Sequence, residues 1–520
     1  MNSITSIIKA DYLQRTRSNV FLATLLISIY VAYSFVPGAS AAYCTVRIGN
    51  FVGYSNAAWI GHVTAIMAST FLWFIGFYVI NNGIRRDEES GIGQIIAATS
   101  ISNFNYLLAK SLSSFMVLLT ITLIIVLMAF GLVMVRGSEF HFNVLQFLLP
   151  YLFGTIPSLL FLSVFAVFFE VVFGKRTNLS NITFFFLFSG FVGYIFTAQN
   201  SLAQWLDVLG TKHLLAEMTA AVNGDYSKIH QDISVGYNFG SKRELHYFLF
   251  EGSHFNLFYL ATRLFWIAMA LVLLWIGSKI FRRFDTRSFS LPGVKSQNNM
   301  EVNHTPPPNE IILSSLPLAS AAFNIYPLIK AEIMMLLRKG PQWFWLINLA
   351  MFIALFFIPL DKAHQLALPI VWFFQINRWA DIATKEKFYG TSSFVYGSSK
   401  PLGRLLTAQI LAGTLTALAF AIPVLLRYSF TGEFAALPGI ILGAVILIGF
   451  STCSGILTGG KRLFEILFFM LTYAVIENIP QADYFGGLHR STGYFGIQML
   501  IILFLLATSY IARNYEIKNQ

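Results

Sequence analysis

Residues 57–91 read AAWIGHVTAIMASTFLWFIGFYVINNGIRRDEESG. The first part, up to Ile80, contains no Asp, Glu, Lys or Arg. A run of this length matches the roughly 20 apolar residues a helix needs to cross the hydrocarbon core of a bilayer. It gives way to Arg85-Arg86, three acids and a glycine. Charge gathered just beyond one end of an apolar run is what a membrane helix requires, because ionised groups are expelled to the interface and basic ones collect on the cytoplasmic side.

The composition extends this reading to the whole chain. Of 520 residues, 56% are hydrophobic and only 11% charged, against about 25% charged in a soluble domain. Such a chain cannot cover its surface with charge in water, which excludes a cytosolic enzyme, a secreted disulfide scaffold and a disordered tail. The net charge of +11 does not point to nucleic acid, because Lys and Arg stand in short clusters beside apolar runs. Of the two cysteines, Cys44 falls in an expected outer loop and Cys453 inside a span, so neither a disulfide nor a thiolate metal site is expected.

Twelve spans are read, at 20–36, 57–80, 107–135, 145–173, 179–198 and 255–280, then at 343–360, 366–379, 405–426, 437–457, 463–479 and 494–511. The expected fold is an all-α membrane protein of about twelve transmembrane helices. The eighth span is short and holds Pro369, so its start is displaced or its helix broken. Lys9, Arg15 and Arg17 precede a full-length first span without a small-residue cleavage site, so no cleavable signal is expected. With the N-terminus inside, most of the 35 Lys and Arg lie on the cytoplasmic side, among them Arg85, Arg86, Lys175, Arg176, Arg282, Arg283, Lys461 and Arg462. An even span count then leaves both termini cytoplasmic.

Self-similarity organises these spans. Ile7-Ile8-Lys9-Ala10-Asp11 before the first span is matched by Leu328-Ile329-Lys330-Ala331-Glu332 before the seventh. Arg85-Arg86-Asp87-Glu88-Glu89-Ser90-Gly91 after the second is matched by Thr384-Lys385-Glu386-Lys387-Phe388-Tyr389-Gly390 after the eighth. Gly174-Lys175-Arg176 and Gly460-Lys461-Arg462 follow the fourth and tenth. Three matches in register imply two parallel six-span units, at 1–280 and 325–520. Between them, 281–324 carries a polar run and Pro306-Pro307-Pro308, the composition of an extended, partly stiff linker. The first unit has outer segments at 37–56 and 200–254; those of the second are short.

The segments before spans one and seven are amphipathic and basic, with Ile4, Ile7, Ile8 and Asp11 at helical spacing. They suit helices lying in the interface. In the loops after spans two and eight, Asp87, Glu88 and Glu89 on one side and Glu386 on the other are expected at a helix N-terminus, where the dipole favours carboxylates. Gly91 and Gly390 would allow the turn that follows. The plain alternative is a solvated loop whose acids offset neighbouring Arg and Lys; recurrence at one spacing favours a role.

This arrangement resembles the type-2 ABC exporter permease. The likeness rests on the interfacial helix, the acidic-to-glycine loop leading into residues such as Ile95 to Lys110 or Phe394 to Gln409, six spans per unit and the large outer segment between spans five and six. The resemblance implies that two units form the pathway and two separate cytoplasmic ATP-binding subunits supply energy. It further implies that 4–17 and 328–339, with Ile8, Lys9, Asp11, Ile329, Lys330 and Glu332, are connecting helices, and that Asp87, Glu88, Glu89, Gly91, Glu386 and Gly390 belong to coupling elements. The second unit departs from the pattern in its short outer loops. No G-x-x-x-x-G-K-[ST] phosphate loop occurs; Gly459-Gly460-Lys461-Arg462 is too short and lacks the Ser or Thr that ligates magnesium. The chain itself is therefore not expected to be an enzyme or to hold a cofactor, ATP and Mg being bound by the partners.

Glu170 and Glu477 are acids inside spans and candidate pathway groups by default, although both lie near span ends where a snorkelling position suffices. Pro150, Pro157, Pro423 and Pro438 can bend helices and expose backbone to a cavity. His213, His230, His246 and His254 show no ligand spacing such as H-x-x-x-H, so no metal is expected there, and no catalytic triad is visible. The competing classes are an ion-driven secondary transporter of twelve spans, whose Asp-Arg-Gly-Arg-like inner loop Arg85 to Gly93 does not match, and a non-transporting anchor subunit. Compact loops without organelle targeting fit a bacterial cytoplasmic membrane.

Overall fold

A computed structural model describes residues 3–38, 41, 43–137, 143–174, 176–197, 201–225, 233–239, 245–282, 284, 324–340, 343–398, 400–476, 479 and 482–518. Helix α1 (Ser3–Thr16) meets α2 (Asn19–Phe35) at 71°. Ser18 makes the bend abrupt by capping α2, its hydroxyl accepting from the Phe21 N–H at 3.2 Å. On α1, Ile4, Ile7 and Ile8 are half-buried, Asp11 and Arg15 buried and Lys9 exposed, the one-sided pattern of an interfacial helix.

Helix α3 (Ala57–Ile80) coincides with the second span, started by Asn56, whose side chain accepts from the Trp59 N–H at 2.8 Å. Short helices α4 (Gly83–Glu89) and α5 (Ile92–Ala97) lead into α6 (Asn103–Arg136). The fourth span is α7 (Val144–Pro150), a π turn (Tyr151–Thr155) and α8 (Ile156–Phe173). Pro157 has no N–H to give the Phe153 carbonyl, and the Tyr259 hydroxyl donates to that carbonyl instead, at 3.2 Å. Then follow α9 (Thr177–Thr197), α10 (Ser201–Leu206), α11 (Thr211–Asp225) and α12 (Leu257–Ile280).

The second half runs from α13 (Tyr326–Arg338) to α14 (Phe344–Phe357), α15 (Leu360–Lys362), a π turn (Ala363–Ala367), α16 (Leu368–Phe374) and α17 (Ile376–Trp379). It continues through α18 (Lys385–Phe388), α19 (Ser392–Tyr396), a π turn (Leu402–Leu406) and α20 (Thr407–Thr431). Helices α21 (Leu437–Thr458), α22 (Arg462–Ile476) and α23 (Thr492–Lys518) complete it.

Among the described residues eight helices are long and apolar enough to cross a membrane, nine if α1 and α2 count as one bent span. Among the described residues, the positions that do not pass as single long helices are the first, seventh, eighth and eleventh. The seventh position holds a helix of 14 residues, which at 1.5 Å per residue reaches about 21 Å against a core of about 30 Å; the described part of the eleventh ends at Ile476. The eighth is broken by the π turn before Pro369 and again at Gln375.

The fold is almost entirely helical, with one addition the apolar pattern did not announce. β1 (Tyr43–Ile48) and β2 (Phe51–Gly53) join β3 (Ile233–Phe239) and β4 (His246–Phe248) in the order β3-β1-β2-β4. β1 and β3 are antiparallel, from Tyr43 opposite Phe239 to Ile48 opposite Ile233, whereas β2 and β4 are parallel. The sheet ties the first outer segment of the first half to its second. The residues 285–323 of the expected linker lie outside the described residues, as do Lys175, Arg283, His230 and Glu477.

Candidate functional site

At one end of the bundle, α1, α4 and α6 meet around buried charge. Lys110, on α6, donates to Asp11 Oδ1 of α1 at 2.9 Å and to Asp87 Oδ1 of α4 at 2.9 Å. Arg15 Nε donates to the other Asp11 oxygen at 2.9 Å, and Ser113 Oγ donates to it at 2.7 Å. Tyr106 donates to Asp87 Oδ2 at 2.8 Å, and an Arg15 Nη donates to the Ile80 carbonyl at the end of α3 at 2.7 Å. Burial alone would raise the Asp11 carboxyl; Arg15 and Lys110 outweigh it, with hydrogen bonds from Ser113 and Lys110, and hold it at about 2.

The acids of this loop do not sit where the sequence placed them. Helix α4 begins at Gly83, so Asp87, Glu88 and Glu89 fall at its C-terminal end. The dipole there is unfavourable, and side-chain partners compensate: Lys110 and Tyr106 for Asp87, and Arg85 Nε for Glu89 at 2.7 Å. The carboxylate at the N-terminus of α4 comes from Glu170 on α8, whose Oε1 accepts from the Arg85 N–H at 2.7 Å. Glu170 is buried and works as a cap for a neighbouring helix. Gly91 follows with φ +76°.

In the second half, α13, α18 and the start of α20 repeat the meeting. Lys385 pairs with Glu332, and Gln409 Nε2 donates to Glu386 Oε1 at 2.7 Å. Asp87 and Lys110 are 23 residues apart, and so are Glu386 and Gln409. Glu386 does lie in the first turn of its helix, and Gly390 has φ +67°. Ile329 is half-buried and Lys330 exposed, as Ile8 and Lys9 are. The end of α23 docks here: Arg513 donates to the Tyr396 hydroxyl and to the Ala383 carbonyl, and Lys387 pairs with Glu516 at 3.0 Å. Lys110 and Gln409 were legible only as the ends of the stretches after each acidic loop.

Beyond the buried acids both loops turn apolar side chains outward. Ile92 and Ile95 are exposed in the first, and Phe388, Tyr389 and Phe394 in the second. Between the halves, α3 and α9 face α16 and α22 through aromatic rings. Tyr78 stacks on Phe469 with centroids 4.4 Å apart, Phe74 meets Tyr473 at 5.4 Å, and Phe185 meets Phe373 at 4.7 Å.

Among the described residues no group of three or more His, Cys, Asp or Glu gathers to hold a metal. His213 stacks on Tyr259 at 4.5 Å and bonds the His254 carbonyl at 3.0 Å, and His246 lies on β4.

Long apolar helices around buried ion pairs define a multi-pass membrane protein. Residues 45–279 match the family model described as ABC-2 family transporter protein, so this segment carries a type-2 ABC permease unit. The match supports reading the chain as a type-2 ABC permease, a class of membrane subunit that works with an ATP-binding partner subunit. No curated protein and no solved structure gives a match.

Proposed function

We propose that the chain is the permease of an ATP-driven exporter, in which two fused six-span units act as a pseudo-dimer and two separate ATP-binding subunits supply the energy. The observation that carries this is the pair of exposed apolar tips, Ile92 with Ile95 and Phe388 with Tyr389 and Phe394, each mounted on a buried polar junction. An apolar surface rimmed by charge is a docking surface, and a rigid anchor behind it transmits force instead of absorbing it. Closure of the ATP-binding subunits pushes the tips; the junctions pass the displacement to α1 and α6 and to α13 and α20. The aromatic seam then parts and cargo passes outward. The chain holds no phosphate loop, so ATP and Mg reside on the partners and the permease alone hydrolyses nothing. Both termini lie in the cytoplasm of a bacterial cell, and the chain sits in its cytoplasmic (inner) membrane.

The test is purification from native membranes in mild detergent, with identification of what accompanies the chain. The expected result is two copies of a phosphate-loop subunit per chain and ATPase activity, both lost in a Phe388→Ser, Phe394→Ser variant that still elutes as a folded species. A solitary chain without ATPase activity would overturn the proposal in favour of an ion-coupled transporter.

A further inference from the structure

The two junctions differ in one charge. In the first, the ammonium of Lys110 lies between the carboxylates of Asp11 and Asp87. At the matching position the second has Gln409, a neutral amide that is fully buried. Glu332 and Glu386 are 3% and 5% exposed, and among the described residues the ion pair on them is that of Lys385 with Glu332. Gln409 Nε2 donates to Glu386 Oε1, and the Gln409 side chain also hydrogen-bonds Glu332. Its own Oε1 and the second Glu386 oxygen, Oε2, are buried without a hydrogen-bond partner. Both orphans are acceptors, and a buried acceptor without a donor is destabilising. A carboxyl proton turns one acceptor into a donor and removes the unbalanced charge in the same step.

We propose that the second junction binds one proton, held on the Glu332–Glu386 carboxyl pair and hydrogen-bonded to Gln409 Oε1, in the place the first junction fills with the Lys110 ammonium. Among the described residues, the nearby cations Lys387, Arg513, Arg378 and Lys339 are engaged elsewhere. Lys387 lies on Glu516 and Arg513 on Tyr396, Glu516 and the Ala383 carbonyl. Arg378 donates to the Leu336 carbonyl and to Gln375, and Lys339 pairs with Asp381. Arg404 lies in the π turn before Gln409. Burial raises the Glu332 carboxyl above its ordinary range and Glu386 adds to the rise, against the opposing pull of Lys385 and of the hydrogen bond from Gln409. The proposal concerns this chain alone and does not depend on the transport reading.

The test is an infrared pH titration of the purified full-length chain in lipid nanodiscs. The wild type is expected to show a protonated-carboxyl C=O band that persists above the ordinary carboxylate range of about pH 4 and is lost in Glu332→Gln or Glu386→Gln. Gln409→Lys, which installs the cation of the first junction, is expected to lower the proton affinity of the site about tenfold or more, one pH unit, with helical circular dichroism unchanged. Should Gln409→Lys fail to fold, the two Gln variants decide. A wild type whose band disappears at the ordinary range, or a band that survives in both Glu→Gln variants, overturns the proposal.

Discussion

Lys110 holds three helices through two carboxylates that lie 99 and 23 residues away in the chain. Removing one partner of a buried ion pair leaves the other charge uncompensated, at a cost of about 3–5 kcal/mol. Lys110→Ala is therefore expected to lower the unfolding temperature strongly and to move acid unfolding to higher pH. The sign follows from Asp11. Its carboxyl is held at about 2, below the unfolded value of 3.8, so its contribution of about 2 kcal/mol is complete above that value and lost as the pH falls towards 2. Thermal unfolding in detergent between neutral pH and about pH 3 checks both effects, and a Lys110→Ala curve superimposing on the wild type would refute the strut assignment. At this scale the sequence disclosed the acids but not their partners. Asp87 was visible as part of an acidic run; nothing in spacing joined it to Lys110, because the pairing is made by two helices packing. Glu170 was visible as an acid near a span end, but its task belongs to a helix 85 residues earlier.

Among the elements, the long helices were the legible ones. The bounds of α3 agree with the apolar run to the residue, because a lipid-crossing helix is specified by composition alone. The short elements were not, because their limits depend on tertiary partners. α4 starts where Glu170 can cap it, several residues before the acids that suggested a helix start. The strands are three to seven residues long and are paired across the first half, so no local alternation could reveal them. Trp73-Phe74 and Trp372-Phe373 stand at the same distance from Gly91 and Gly390, a repeat signal that a search by charged motifs passes over. Gly91 and Gly390 carry positive φ in open space, where an added Cβ meets nothing within 4 Å. Ala at either position thus reports backbone strain alone, about 1–2 kcal/mol. The expected outcome is a modest fall in unfolding temperature for each single variant and a roughly additive one for the double, measured by scanning fluorimetry. A neutral pair would show that neither turn is held in the left-handed conformation.

At the scale of the whole molecule, the seam between the halves is made of rings. An aromatic pair is worth about 0.5–1.5 kcal/mol beyond its buried area, enough to bias a closed seam and little enough for a docked partner to overcome. Tyr78→Ala with Phe469→Ala is expected to raise the leak of a small entrapped dye from vesicles containing the chain, with the unfolding temperature lowered by less than Lys110→Ala lowers it. An unchanged leak would mean that closure resides elsewhere. The sheet at the far end of the first half has a consequence for biogenesis. Tyr43 on β1 pairs with Phe239 on β3, so the first strand is synthesised long before its partner. At about 5–20 residues per second it waits on the order of 10–40 s, while the spans between them enter the bilayer. The strand therefore pairs last and acts as a clasp on a bundle already inserted. A ribosomal pause or a premature stop within that interval releases a chain whose first outer edge is bare and open to pairing with a neighbour.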